Sequence, residues 1–202
     1  MSNMKSTQQK LRGSALRSGL VKATALALAI ASFASVQQAS ADPVSRAQAK
    51  RMYDRLVGTP PTPALLDDLE SRVAADKVAA GLYMLDKSSP RSSQFYTTTL
   101  KNFATPWTNR DQTVFAPLND YVATVIGMVR DDADFRTVLS ADLVYIGQGI
   151  SPAYSTTNND HYVAMESNNA DLRVVLQPTT QSSLNGLPPN ATAGIITSRA
   201  AA

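Results

Sequence analysis

Apolar residues recur at helical spacing over much of the chain after its first forty residues. In "PVSRAQAKRMYDRLVG" the positions Ala49, Met52, Tyr53 and Leu56 follow i, i+3, i+4 and i+7, which gathers them on one helix face, with Gly58 placed to stop it. "TPPTPALLDDLESRV" gives a second start, with Thr62 as N-cap, Pro63 at the first helical position and Asp67 and Asp68 towards the positive end of the dipole. Val78, Leu82 and Leu85 carry the spacing into a third short helix. Phe95, Tyr96, Leu100 and Phe103 predict a fourth, although Thr97, Thr98 and Thr99 are β-branched and resist it, and Trp107 is expected to plug the core beside it. The strongest pattern is Leu118, Tyr121, Val122, Val125, Ile126 and Val129, opened by Pro117, which predicts the core helix. Asp134 is placed to cap a further helix in "FRTVLSAD", and "LVYIG" reads as a short buried strand or extended segment.

From Gly147 the composition shifts to Asn, Ser, Thr, Gly and Pro, with "DLRVVL" and "GIITSRAAA" as the ordered pieces. Strands do not alternate with helices, and no internal repeat is present. The expected fold is therefore mainly α: a bundle of short helices over 42–146, followed by an irregular, loop-rich C-terminal third. Residues 147–202 read as an extension that begins a further, truncated module, because the apolar pattern at the end breaks off inside what reads as a helix.

The first forty-one residues have the order of a secretory signal peptide. Lys5, Lys10, Arg12, Arg17 and Lys22 form a basic region, "ATALALAIASF" forms an apolar core, and "ASA" at Ala39–Ala41 supplies small residues for cleavage before Asp42. The apolar stretch is shorter than the roughly 20 residues that span a bilayer. The expectation is a periplasmic or secreted protein without a stable membrane span once the signal is removed. That removal also reverses the charge: of 19 basic and 16 acidic residues, five basic ones lie in the signal, leaving 14 against 16. The net positive charge thus belongs to the export segment, and nothing remains to favour nucleic acid as a partner. The chain has no cysteine, which excludes disulfides, thiolate metal sites and covalent haem attachment within it.

Candidate chemistry is sparse. His161, the single histidine, lies between Asp160 and Tyr162 with Glu166 further on, so Asp160, His161 and Glu166 are weak candidates for a metal site or for acid–base work. One histidine cannot build a histidine-rich site, and the simpler expectation is a loop residue bonded to backbone. Asn158, Asn159, Asp160, Glu166, Asn168, Asn169 and Asp171 supply oxygens of the kind calcium takes, but not at the spacing of a recognised calcium loop. Asp131, Asp132 and Asp134 could suggest a carboxylate pair for glycoside chemistry, and read more simply as a cap and a solvated turn. No G-x-S-x-G, P-loop or dinucleotide fingerprint occurs, so no catalytic or cofactor-binding residue is named.

The order of three segments resembles a known group. "AKRMYDRLVGTPPTPALLDDL" is similar to an R-L-x-G-x-P-P-T-P opening, "FRTVLSADLVYIG" followed by "NNDHY" to the segment that comes next, and "PPNATAGIITSRAAA" to the start of the following block. The group comprises large secreted bacterial proteins of unknown function, of planctomycete type, associated with c-type cytochrome domains. The resemblance implies an N-terminal portion of such a protein, with haem carried only by a C-terminal part absent from this chain. It implies no catalytic residues here, and its partners would be other proteins or a downstream haem domain. The leading expectation is an exported non-catalytic helical module, acting as scaffold or partner-binding part of a cytochrome c-associated, electron-transfer-linked protein. The alternatives are a periplasmic hydrolase or polysaccharide-processing enzyme using carboxylates such as Asp160 and Glu166, and a calcium-stabilised binding module.

Overall fold

A computed structural model describes residues 42–200, so the expected signal peptide lies outside the described residues. Helix α1, Pro43–Val57, starts where the Asp42 carboxylate accepts from the Val44 amide (3.1 Å) and the Ser45 hydroxyl (2.9 Å). It stops at Gly58, whose φ of 84° is the left-handed conformation that glycine adopts without steric penalty. Helix α2, Pro63–Ala75, carries the expected Thr62 cap and N-terminal proline, and α3, Lys77–Leu85, is capped by Asp76. Ala49, Tyr53, Val57, Leu69, Val73, Ala80 and Met84 form the core of this three-helix unit. The buried face of α3 is Ala80 and Met84, whereas Val78 and Leu82 point to solvent. Both pairs have i, i+4 spacing, so periodicity alone chose the wrong one. Gly81, beside the buried pair, faces Met52 and Leu56 of α1.

A larger cluster fills the rest. The backbone widens into a π-helix over Phe95–Leu100, where the three threonines fall, then tightens through α4, Lys101–Ala104, and a 3₁₀ turn, Thr105–Thr108. Such π segments interrupt the regular hydrogen-bond ladder and are frequent at functional sites. The core helix α5, Asp120–Arg130, is opened by the Asn119 side chain, which accepts from the Val122 amide at 3.0 Å, rather than by Pro117. Val122, Ala123, Val125, Ile126 and Met128 are fully enclosed, so α5 is buried nearly all round. Val129 and Trp107, expected inside, are exposed; Tyr96, Leu100, Ala104 and Leu118 fill the space against α5 instead. "FRTVLSAD" forms only one 3₁₀ turn, Phe135–Thr137.

Strand β1, Val144–Gly147, pairs antiparallel with β2, Leu176–Thr179, Val144 opposite Thr179 and Gly147 opposite Leu176. Between and after them lie α6, Asp160–Ser167, α7, Leu172–Val175, and α8, Gln181–Asn185. The fold is mainly helical, as expected, with this small two-stranded sheet. The expected division after residue 146 does not separate two cores. Tyr162, Met165, Leu172, Leu176 and Ile195 pack in the same cluster as Val122 and Ile126. The polar composition past Gly147 belongs to capped turns on the surface of that shared core. No helix among the described residues is long and apolar enough to cross a membrane.

Candidate functional site

His161 is not in a loop. It lies in the first turn of α6 and is 2% exposed. Its Nε2 accepts from the Gly147 amide at 2.9 Å, and its Nδ1 lies 2.7 Å from the Pro152 carbonyl oxygen. An amide can only donate and a carbonyl can only accept, so the ring carries its proton on Nδ1 and both nitrogens are engaged. The adjacent Tyr162 hydroxyl donates to the Tyr145 carbonyl at 2.9 Å. Together these bonds fasten α6 to β1, and burial holds the Tyr162 phenol well above its ordinary range, with the Asp120 charge adding to the effect.

The carboxylates beside His161 have separate partners. Asp160 is exposed at the start of α6. Glu166 accepts from the Leu118 amide at 2.9 Å and pairs with Lys101, bridging α6 to α4 and to the approach to α5. Asn159 donates to the Leu118 carbonyl (2.7 Å) and accepts from Arg199 (2.7 Å), while Asp171 caps α7 and holds Arg173. Asn158 accepts from the Asp160 amide, and Asn169 has a positive φ of 50° at the turn after α6. Among the described residues no group of three or more His, Asp or Glu side chains is placed to hold a metal ion. The oxygen-rich stretch is distributed along the surface of α6 rather than folded around a centre.

Of the other acidic trio, Asp134 caps the 3₁₀ turn and pairs with Arg136, and Asp132 is exposed with a φ of 54°. Asp131 is the member that joins elements of the fold. Arg130 grips it with two nitrogens (2.8 and 2.7 Å), and the Tyr145 hydroxyl donates to it at 3.0 Å. Arg130 also donates to the Leu176 carbonyl at 2.5 Å, joining the end of α5 to β2. The Arg130 guanidinium holds the Asp131 carboxyl below its usual range, and burial followed by the Asp131 hydrogen bond pushes the Tyr145 phenol up to about 12.

Two surface features were not expected from the sequence. A cleft of about 330 Å³ opens beside the π-helix, lined by Gln94, Thr97, Thr98, Lys101, Met165 and Glu166. The other is aromatic. Phe103 and Trp107 meet edge to face with centroids 4.7 Å apart, and Trp107 meets Tyr121 at 6.5 Å. Trp107 is 50% exposed, and Phe115, on the loop that follows, is 88% exposed. Asn109 fixes that loop to the Trp107 turn: its side chain donates to the Thr105 and Thr113 carbonyls and accepts from the Thr113 amide. The polar run from Thr108 to Thr113 around a lone tryptophan was the available signal for a surface turn.

Comparison with protein-family models, with curated proteins and with solved structures finds no match to this chain.

Proposed function

We propose that the chain is an exported, non-catalytic helical module that binds a protein partner through the aromatic surface around Trp107, and that its context is a cytochrome c-associated protein. The observation that carries the binding role is the solvent exposure of Phe103 and Trp107, which meet edge to face, and of Phe115 on the loop that Asn109 braces against the Trp107 turn. Exposed aromatic side chains of this size are the commonest anchors of protein interfaces, where each can bury a large area at small entropic cost. The non-catalytic role is supported by the use of the chemically suggestive side chains. His161, Glu166, Asp131 and Asp120 all hold backbone or side-chain partners between elements. The cytochrome context rests on the sequence resemblance and on the expected export signal. Reading the gene past codon 202 tests that context. A C-x-x-C-H motif in frame supports it, and a stop codon with no such motif in the following reading frames counts against it.

A further inference from the structure

Most cations of the described chain are committed. Arg46, Lys50, Arg72, Arg91, Lys101, Arg130, Arg136 and Arg173 are in ion pairs, while Lys87 and Arg199 donate to Arg130 and Asn159. Among the described residues, Arg51, Arg55, Lys77 and Arg110 are left with neither an ion pair nor a side-chain hydrogen bond to another described residue. The first three line one shallow groove of about 220 Å³ between α1 and α3, together with Gln48 and Met52. Of the acidic neighbours, Asp54 pairs with Lys50 and Asp76 caps the Val78 and Ala79 amides, so the three cations of the groove face one carboxylate outside an ion pair. On the same helix as Lys77 are the most exposed aliphatic side chains of this unit, Val78 (74%) and Leu82 (69%), one turn apart on one face.

We infer that the α1–α3 face docks onto the surface of an anionic phospholipid bilayer. Uncommitted, flexible cations beside protruding aliphatic side chains are the chemistry of an interfacial contact. The cations meet lipid phosphates while the aliphatic groups enter the headgroup boundary. The charge is local, since 14 basic residues face 16 acidic ones after the expected signal, and a surface contact needs only a local excess of positive charge. A folded acidic protein is the less fitting occupant, because the face has no aromatic anchor and the groove is shallow. The surface is distinct from the aromatic one around Trp107, so a module could hold a bilayer and a partner together.

The experiment uses residues 42–202, which form a compact unit by themselves, with circular dichroism confirming the helical fold of every variant. Binding to vesicles of phosphatidylglycerol and of phosphatidylcholine is measured by co-sedimentation. The expected result is binding to the anionic vesicles that weakens with salt, is absent with the zwitterionic ones, and falls about a hundredfold in the Arg51→Gln, Arg55→Gln, Lys77→Gln triple variant, at about fivefold per charge. Val78→Ser with Leu82→Ser lowers it by about a further tenfold. The inference is overturned by equal binding to both lipids, by a triple variant that binds as well as the parent, or by displacement with millimolar inorganic phosphate, which would mark a free-phosphate site. Binding to polyglutamate without binding to anionic vesicles would also overturn it, in favour of an acidic protein.

Discussion

His161 and Gly147 are joined by a hydrogen bond in which the buried imidazole Nε2 accepts the strand's terminal amide at 2.9 Å. The bond satisfies an amide at the very end of β1, and the ring's other nitrogen secures the Pro152 carbonyl. Replacing His161 by Ala leaves the Gly147 amide unpaired in the interior, releases the Pro152 carbonyl and opens a cavity. The expected loss is about 2–4 kcal/mol in urea unfolding. His161→Gln, which can keep one of the two bonds, loses roughly half as much.

Gly127 lies on the face of α5 against which the Tyr145 ring is pressed, and a Cβ there would overlap the ring. Gly127→Ala should therefore destabilise by about 1–3 kcal/mol, despite alanine's better helix propensity. In a Tyr145→Ala background the overlap is gone, and the same substitution should stabilise by about 1 kcal/mol. A double-mutant cycle by thermal melting checks the change of sign.

The Asp131 cluster predicts a pH dependence at both ends of the scale. Asp131 is held below its ordinary value of 3.8 by Arg130 and then by Tyr145. A carboxyl depressed in the folded state contributes stability above its unfolded value, and that contribution is lost as pH falls through the folded value, from about pH 4 downwards. Tyr145 is the reverse case, neutral in the fold up to about 12 against 10.0 for a free phenol. Its contribution is present below pH 10 and fades as pH rises towards 12. Urea midpoints against pH should show the acid limb flattened in Asp131→Asn and the alkaline limb flattened in Tyr145→Phe.

Asp120, fully buried at the start of α5, accepts from the Tyr121, Arg199 and Ala200 amides at 2.9, 2.7 and 3.0 Å. Asp120→Ala strands these donors and should free the segment around Arg199. Limited proteolysis should then cleave near Arg199 at least tenfold faster than in the parent, with cleavage at Arg51 and Arg55 unchanged.

Helix positions were legible in the sequence where caps and spacing agreed, as at Thr62–Pro63 and Gly58, because both signals are local. The choice of face was not legible for α3, where Val78/Leu82 and Ala80/Met84 have equal spacing and only the packing against α1 and α2 separates them. Residues 147–200 read as loop because their polar side chains cap turns and grip distant backbone, as Gln181 does with the Leu143 and Gly194 carbonyls. Those bonds span 38 and 13 residues, and no local pattern encodes them. The single histidine drew attention as a candidate for chemistry, and only the fold revealed that its two nitrogens close a strand and a turn.

The proposed partner surface contains the only tryptophan of the chain, so Trp107 fluorescence reports on it directly. The decisive measurement titrates residues 42–202 with soluble c-type cytochromes purified from the same organism and follows quenching of Trp107 by the haem. The account predicts saturable quenching that is lost in Phe103→Ser with Phe115→Ser, variants whose exposed positions leave the fold intact. Absence of saturable quenching with every cytochrome tested, or quenching unchanged in the double variant, would contradict it.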